Sequence, residues 1–449
     1  MSLARDAQAF ARLARARLRE RRLAPHVRRR TAERGIAEPG RFEVLVHFAD
    51  PAVNLYQLRQ WYEPLRLLAE QHPVAIAVRS ADVAMRVLDE SPLPVVWTPT
   101  VTHAEQLLAQ QGTLAVLYVN QNSRNFTVLR FGEPAHVFCN HGESDKAYMV
   151  SNQVKAYDLV LVAGPAAVRR LEGGVYDLER ARLAVVGRPQ IDVEHEGPRL
   201  PHDARTVVLY APTWEGDRPS NSSSSVASHG EAVVAALLAT GRHRVIYRPH
   251  PRTGVEDREV ARANARIVRL VRAANREDPA AGHVADLASP FGWQLAAAGV
   301  CLTDISAAAY DWAATGKPLL LTEPVASEAW VDREGIAGTV PLVRASDAAD
   351  VVAQIDALVA DGAGERYAAL VRDHFGDTTP GESMARFLET IHGVVEERRA
   401  ARAARAAQAA RLAGTVGGAG TVGPAGPAGA AGAAGPAGAA GATGSAPTA

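Results

Sequence analysis

The chain has 449 residues, with 49 Lys+Arg balanced by 49 Asp+Glu, which is long enough for two or three domains of about 150 residues each. A hydrophobic content of 47% with 22% charged residues excludes a wholly disordered chain, and no run approaches the roughly 18 uncharged apolar residues of a membrane span. Only two cysteines, Cys139 and Cys301, are present, which excludes a disulfide framework or a thiolate zinc site and fits a reducing cytoplasm.

In chain order, residues 1–35 come first, with eleven Arg and three acidic residues, a net of +8. They contain no apolar h-region of a secretory signal. Leu3, Ala7, Phe10, Ala14 and Leu18 recur at helical spacing, and Pro25 ends the pattern, so a basic amphipathic helix is predicted. Such a helix can lie on an anionic cytoplasmic leaflet, or it can be a solvated or domain-packed helix. Nearly all basic residues are Arg, with Lys only at 146, 155 and 317, so Arg abundance by itself carries little functional weight. The Arg clusters lack the aromatic or recognition motifs of nucleic-acid binding, and no nucleic acid is expected as partner.

Between 41 and 345 the apolar runs are short and β-branched: RFEVLVHF (41–48), PVAIAVRS (73–80), LPVVWTP (93–99), LAVLYVN (114–120), HVFCNHG (136–142) and DLVLVAG (158–164). RLAVVGRP (182–189), TVVLYAPTW (206–214), RVIYRPHP (244–251), VCLTDIS (300–306) and KPLLLTEP (317–324) continue the series. Runs without alternation fit strands buried on both faces. Helical segments at 55–71 and 229–241 separate some of them, so parallel sheets with crossover helices are predicted. About a dozen strands exceed one typical open sheet. Two Rossmann-like domains, 36–190 and 205–397, are therefore expected, with a break in the polar stretch 191–204. The body 36–397 carries a net of −13, and 398–411 adds five Arg and no acid. From Gly414 to Gly444 glycine recurs at every third position, but only Pro424, Pro427 and Pro436 accompany it. A disordered Ala/Gly tail is expected within 398–449 rather than a collagen-like helix.

Four strands end in polar residues, and ligands of open α/β sheets bind at the carboxyl ends of strands. These ends are His141-Gly142-Glu143-Ser144-Asp145-Lys146, Ala211-Pro212-Thr213-Trp214, Arg248-Pro249-His250-Pro251 and Thr303-Asp304-Ile305-Ser306, with Asp311 a turn later. Singly, a His between prolines can be a packed loop residue, and Thr-Asp-x-Ser is a frequent helix cap. Together they place cationic and hydrogen-bonding groups in both domains, as a phosphorylated ligand requires. There is no Asp-x-Asp for a metal-bound nucleotide sugar, no Walker loop, and no Gly-x-Gly-x-x-Gly after a strand. Kinase and dehydrogenase readings thereby lose support.

The motifs His-Gly-x-x-x-Lys (141–146), Tyr-Ala-Pro-Thr-Trp (210–214), Arg-Pro-His-Pro (248–251) and Thr-Asp-Ile-Ser-x-x-x-x-Asp-Trp (303–312) occur in this order. Lys317-Pro318 and a late Gly-Asp-x-x-x-Gly-x-Ser segment (376–383) come after them. This resembles the CDP-glycerol glycerophosphotransferases of teichoic acid synthesis over roughly 130–395. The resemblance implies a glycosyltransferase-B-like α/β fold, two Rossmann-like domains facing across a cleft, the first acceptor-side and the second CDP-polyol-binding. It implies transfer of glycerol or ribitol phosphate from a CDP-polyol to a lipid-linked or polymeric polyol-phosphate acceptor, with release of CMP and no metal or cofactor. His141 would deprotonate the acceptor hydroxyl, and His250 would stabilise charge on the donor phosphates or the leaving CMP. Gly142, Lys146, Arg188, Pro212, Thr213, Arg248, Thr303, Asp304, Ser306 and Asp311 would form the substrate site. A cytoplasmic enzyme, peripheral on the inner face of the membrane through its basic flank, is the corresponding location.

Three departures accompany the resemblance. Glu143-Ser144-Asp145 stands where Thr-Pro-Leu is expected, Gly187-Arg188-Pro189-Gln190 replaces Gly-x-Pro-Arg-Asn-Asp, and Ala307 stands where many members have a second Ser. Loop 143–145 and Ala307 keep open a non-catalytic protein that binds anionic polymer, and a glycosyltransferase-B enzyme using a nucleotide sugar for capsule synthesis is the alternative enzyme.

Overall fold

The computed structural model describes residues 2–33, 40–142, 150–216, 218–362 and 364–417. Lys146, the 143–145 loop and the glycine-repeat tail from 418 lie outside the described residues. The described residues up to 399 form one compact unit, and those from 400 onward belong to a second.

All eleven apolar runs form strands. The first sheet contains β1 (Val44–Phe48), β2 (Val74–Val78), β3 (Val95–Trp97), β4 (Ala115–Tyr118), β5 (Ala135–Phe138), β6 (Leu159–Val162) and β7 (Leu183–Val185). The second contains β8 (Thr206–Ala211), β9 (His243–Tyr247), β10 (Val284–Ala285), β11 (Val300–Thr303), β12 (Leu319–Thr322) and β13 (Leu342–Val343). Their orders are β3-β2-β1-β4-β5-β6-β7 and β10-β9-β8-β11-β12-β13, and every pairing is parallel. Both sheets reverse direction beside their first strand, the doubly wound arrangement.

Burial on both faces explains why the runs are continuously apolar. Val44, Val46 and Phe48 of β1 enter one core layer, while Leu45 enters the opposite one. In the second sheet Leu209 and Ile246 face one layer, and Val208, Tyr210, Val245 and Tyr247 face the other. The two strands that the sequence reading misses, β10 and β13, have two residues each and lie at the edges of the second sheet. Short edge strands bury too little apolar surface to leave a run in the sequence.

Five of the helices are α1 (Ser2–Glu33), α2 (Leu55–Arg59), α3 (Ala81–Glu90), α4 (Ala307–Ala313) and α5 (Glu382–Gly417). Three expectations are corrected in these elements. First, α1 does not end at Pro25 but runs through it to Glu33. Tertiary packing outweighs the lost backbone hydrogen bond: Val27 is fully buried in the first core, with Leu23 packed against it. The Glu20 carboxylate accepts from Ala81 N at 2.7 Å and Ser80 Oγ at 2.5 Å, capping α3. Arg19 and Arg30 pair with Asp82 and Asp89 at 2.6 Å each. Second, the helical segment 55–71 is broken into α2 and a helix at Tyr62–Leu68. Trp61 at the break turns into the core, where its indole N–H donates to Asn140 O at 2.7 Å. Third, the Ala-rich 398–411 segment and Gly414–Gly417 continue a single helix, as high alanine content favours.

After the second sheet the chain returns to the first through α5, whose Phe387, Ile391 and Val395 are fully buried in the first core. Gly187 permits this docking. Its φ is +80°, and a Cβ there would lie 2.3 Å from Ser383 Oγ.

Candidate active site

A cavity of about 360 Å³ opens at the carboxyl ends of both sheets. Asp50, Asn54, Tyr56 and Gln57 reach it from the end of β1, Asn120, Gln121 and Ser123 from β4, and Asn140 and His141 from β5. Trp214 arrives from β8 and Arg252 from β9. These ends flank the topological switch points, where doubly wound folds place their ligands.

The structure brings His141 and His250 together. Tyr56, on α2, meets both edge-on, its ring centroid 6.1 Å from His141 and 5.0 Å from His250. The two imidazoles, one from each sheet, are thus separated by no more than those two distances combined. The His141 backbone is set by Asn140, a non-glycine residue with φ +60°. The Asn140 carboxamide clamps the turn, accepting from His141 N at 2.8 Å and donating to Gly142 O at 3.0 Å. His141 Nε2 lies 3.4 Å from Gln57 Nε2, so the amide donates and the imidazole accepts, leaving the His141 proton on Nδ1. The Gln57 carboxamide oxygen accepts from Asn120 Nδ2 at 2.7 Å, and Asn120 also donates to Asp50. An ordered polar chain therefore runs from Asp50 to His141. Burial, and next the Arg188 charge, push the His141 pKa down from 6.5 to about 4 despite an opposing contribution from the Val119 carbonyl. His141 is a neutral imidazole at physiological pH, able to accept a proton.

His250 is held by its backbone N–H donating to Pro212 O at 3.1 Å and by Nδ1 accepting from Arg252 N at 3.1 Å. Trp214 stacks on its ring at 6.3 Å, and the Arg252 guanidinium lies 3.9 Å from the Trp214 ring centroid. His250 thus stands beside a cation held on an aromatic face.

A family model described as CDP-Glycerol:Poly(glycerophosphate) glycerophosphotransferase matches residues 100–328. The chain belongs to this family. Structures of the wall teichoic acid polymerase TagF share its fold. A variant at 12% identity superposes with a TM-score of 0.55, covering 86% of this chain and 98% of the other. A second variant, at 13% identity, gives 0.54 over the same shares. S. aureus MnaA with UDP gives 0.50 at 13% identity, over 79% and 97%. These likenesses establish the glycosyltransferase-B-like α/β architecture; no protein of curated function matches in sequence.

The other residues picked out from the family motifs fall into two groups. Arg188, Asp311, Gly142 and Ser306 meet where the two sheets' loops touch. The Arg188 Nη2 donates to Asp311 Oδ2 at 3.0 Å and its Nε to Asp311 Oδ1, a bidentate pair in which both residues are under 10% exposed. Arg188 also donates to His141 O at 3.4 Å and Gln60 Oε1 at 3.2 Å. A Cβ on Gly142 would lie 3.2 Å from Ala307 Cβ, so the alanine that replaces the family's second serine packs against the His-Gly turn. The Ser306 hydroxyl beside it is buried with no hydrogen-bond partner among the described residues.

The second group braces the loops. Asp304, fully buried, accepts from Thr213 N at 2.6 Å, Ser225 N at 3.2 Å and Thr322 Oγ1 at 2.5 Å. Burial raises its pKa, with these hydrogen bonds opposing. Thr303 Oγ1 donates to Ala211 O at 2.6 Å. Arg248, buried, does not line the cavity and donates to Ser289 O at 2.7 Å and Pro249 O at 3.2 Å. These side chains hold the Pro212-Thr213-Trp214 and Arg-Pro-His turns in place.

Sequence reasoning missed Asp50, Tyr56, Gln57, Asn120 and Arg252. The polar residues that end the first and fourth strands, Asp50 and Asn120, were available signals, since both follow apolar runs directly. Tyr56 and Gln57 carried none, because they read as part of an ordinary amphipathic helix.

Proposed function

We propose that the chain transfers glycerol phosphate from CDP-glycerol to the terminal hydroxyl of a polyol-phosphate acceptor and releases CMP. The observation that carries this reading is the pair of imidazoles from different sheets against one tyrosine, at a cavity of nucleotide scale. Neutral His141 takes the acceptor hydroxyl proton on Nε2 once Gln57 yields that position. The hydroxyl oxygen forms a bond to the glycerol-bearing phosphorus, and the bond from that phosphorus to the bridging oxygen breaks, so the electron pair leaves with CMP. His250 and Arg252 neutralise the charge developing on the phosphates, and the reaction runs on positioning and electrostatics. The first sheet serves the acceptor and the second the donor, with Thr213, Ser306 and Pro212 on the donor side. Both histidines are present with their His-Gly and Arg-Pro-His-Pro neighbours, which favours a catalyst over a degenerate binding protein.

The acceptor's lipid-linked character and a membrane address belong to the same reading. Among the described residues no helix is long and apolar enough to cross a membrane. Exposed Arg15, Arg17, Arg21 and Arg22 of α1 suit an anionic leaflet.

Purified protein supplied with CDP-glycerol, CDP-ribitol or a nucleotide sugar, and a polyol-phosphate acceptor, tests the proposal by CMP release. Release from a CDP-polyol alone is expected. His141→Ala and His250→Ala should each lower kcat by about 10²–10⁴ with little change in melting temperature. Turnover confined to a nucleotide sugar, or undiminished in both variants, would overturn the reading.

A further inference from the structure

On the first sheet, on residues that do not line the cavity, His72 just before β2 meets His392 and Glu396 on α5. Their candidate ligand atoms all lie within 4.8 Å of one another. His72 Nε2 and His392 Nδ1 are 3.0 Å apart, and the two rings are tilted by only 32°. His392 and Glu396 are four residues apart on one helix and so share a face. His72 is 3% exposed, whereas His392 is exposed and Glu396 retains 45% of its side-chain exposure. An ion could therefore enter from solvent.

The surroundings resemble the outer shell of a metal site. The other His72 nitrogen, Nδ1, lies 2.9 Å from Glu43 Oε2. A carboxylate on the far nitrogen fixes the tautomer that leaves Nε2 free to ligate and raises its basicity, the usual support of a metal-bound histidine. The remaining charged group is Arg399, whose Nη2 lies 2.5 Å from Glu43 Oε1 and whose Nη1 pairs with Glu396. Glu43 and Glu396 set two carboxylates against the one Arg399 guanidinium, so a divalent cation complements the cluster.

We propose that His72, His392 and Glu396 form a zinc-type divalent-cation site that staples α5 to the first sheet. Two imidazoles and one carboxylate are a known open zinc set, with water completing the tetrahedron. Ligands at about 2.0–2.1 Å in a tetrahedron stand about 3.3 Å apart, close to the 3.0 Å between the two histidine nitrogens, so a turn of the rings would aim both at one ion. Glu396 exchanges Arg399 for the metal, and Arg399 stays on Glu43. Imidazole and carboxylate donors favour Zn²⁺, and accept Co²⁺ as a spectroscopic probe, over Mg²⁺ or Ca²⁺.

The full chain, stripped with chelator and titrated calorimetrically with Zn²⁺ and by absorption with Co²⁺, provides the test. One equivalent should bind, with the visible bands of four-coordinate Co²⁺ and a rise in melting temperature. His392→Ala and Glu396→Gln, both at solvent-facing positions and expected to fold, should each weaken binding by at least about tenfold. Glu43→Gln should weaken it by about 10–100-fold, as outer-shell losses do. Absence of a saturable equivalent, or equal affinity and equal thermal shift in His392→Ala, would overturn the proposal.

Discussion

Burial together with the neighbouring Arg188 charge holds the His141 pKa at about 4, and burial above all takes His47 on β1 to about 3. An unfolded chain would protonate both near 6.5, so the folded state binds fewer protons between those values. Stability is therefore complete above about pH 6.5 and declines as pH falls towards 4. Calorimetric melting between pH 7 and 4 should show the decline, and His47→Gln should flatten it. The acid limb of kcat/KM due to His141 should lie near 4, not near 6.5, because the imidazole is already the unprotonated base across that range.

Two elements owe their position to contacts that local sequence preferences do not reveal. Helix α1 crosses Pro25 because Val27 enters the first core and Glu20 caps α3. Val27→Ala should cost about 2 kcal/mol in chemical denaturation, and a neutral outcome would mean that α1 is not docked. Helix α5 packs on the first sheet over Gly187, where side chains are disfavoured both by φ +80° and by Ser383 at 2.3 Å from an added Cβ. Gly187→Ala should lower stability by about 2 kcal/mol, measured by the denaturant midpoint. The docking of α1 also changes how its charge can act. The arginines 19 and 30 are committed to Asp82 and Asp89, whereas Arg15, Arg17, Arg21 and Arg22 are exposed to a surface partner. Exchanging Arg15, Arg17, Arg21 and Arg22 for Gln tests membrane address without removing a helix that the fold needs.

Across the whole molecule, the buried Arg188–Asp311 pair joins a loop of the first sheet to a helix of the second, next to His141. Removing one partner of such a pair leaves an uncompensated charge, and Asp311→Ala should destabilise by about 3–5 kcal/mol. Arg188→Met combined with Asp311→Leu should recover much of that loss, because the cost lies in the orphaned guanidinium. An Asp311→Ala variant with unchanged stability but a raised KM for the donor would assign Asp311 to substrate instead. The charge balance of 49 against 49 also resolves at this scale. The acidic body 36–397 contains a cavity whose described walls carry Arg252 and Arg218 beside one acid, Asp50.

By itself the sequence determined eleven of the thirteen described strands, the parallel two-sheet class and the four motif-bearing turns. Each leaves a local mark: a β-branched run buried on both faces, or a polar residue directly after one. It did not reveal β10 and β13, which are too short to leave such a mark, nor the continuation of α1 through Pro25. Only the tertiary structure decided that Tyr56 touches both histidines and that Gln57 links His141 to Asp50. It also decided that Arg188 is spent on Asp311, and that His72 meets His392. These partners are 63 to 320 residues apart in the chain where they bond. No periodicity or propensity encodes such meetings, because they arise when buried strands stack and bring their carboxyl ends, or a returning helix, into one place.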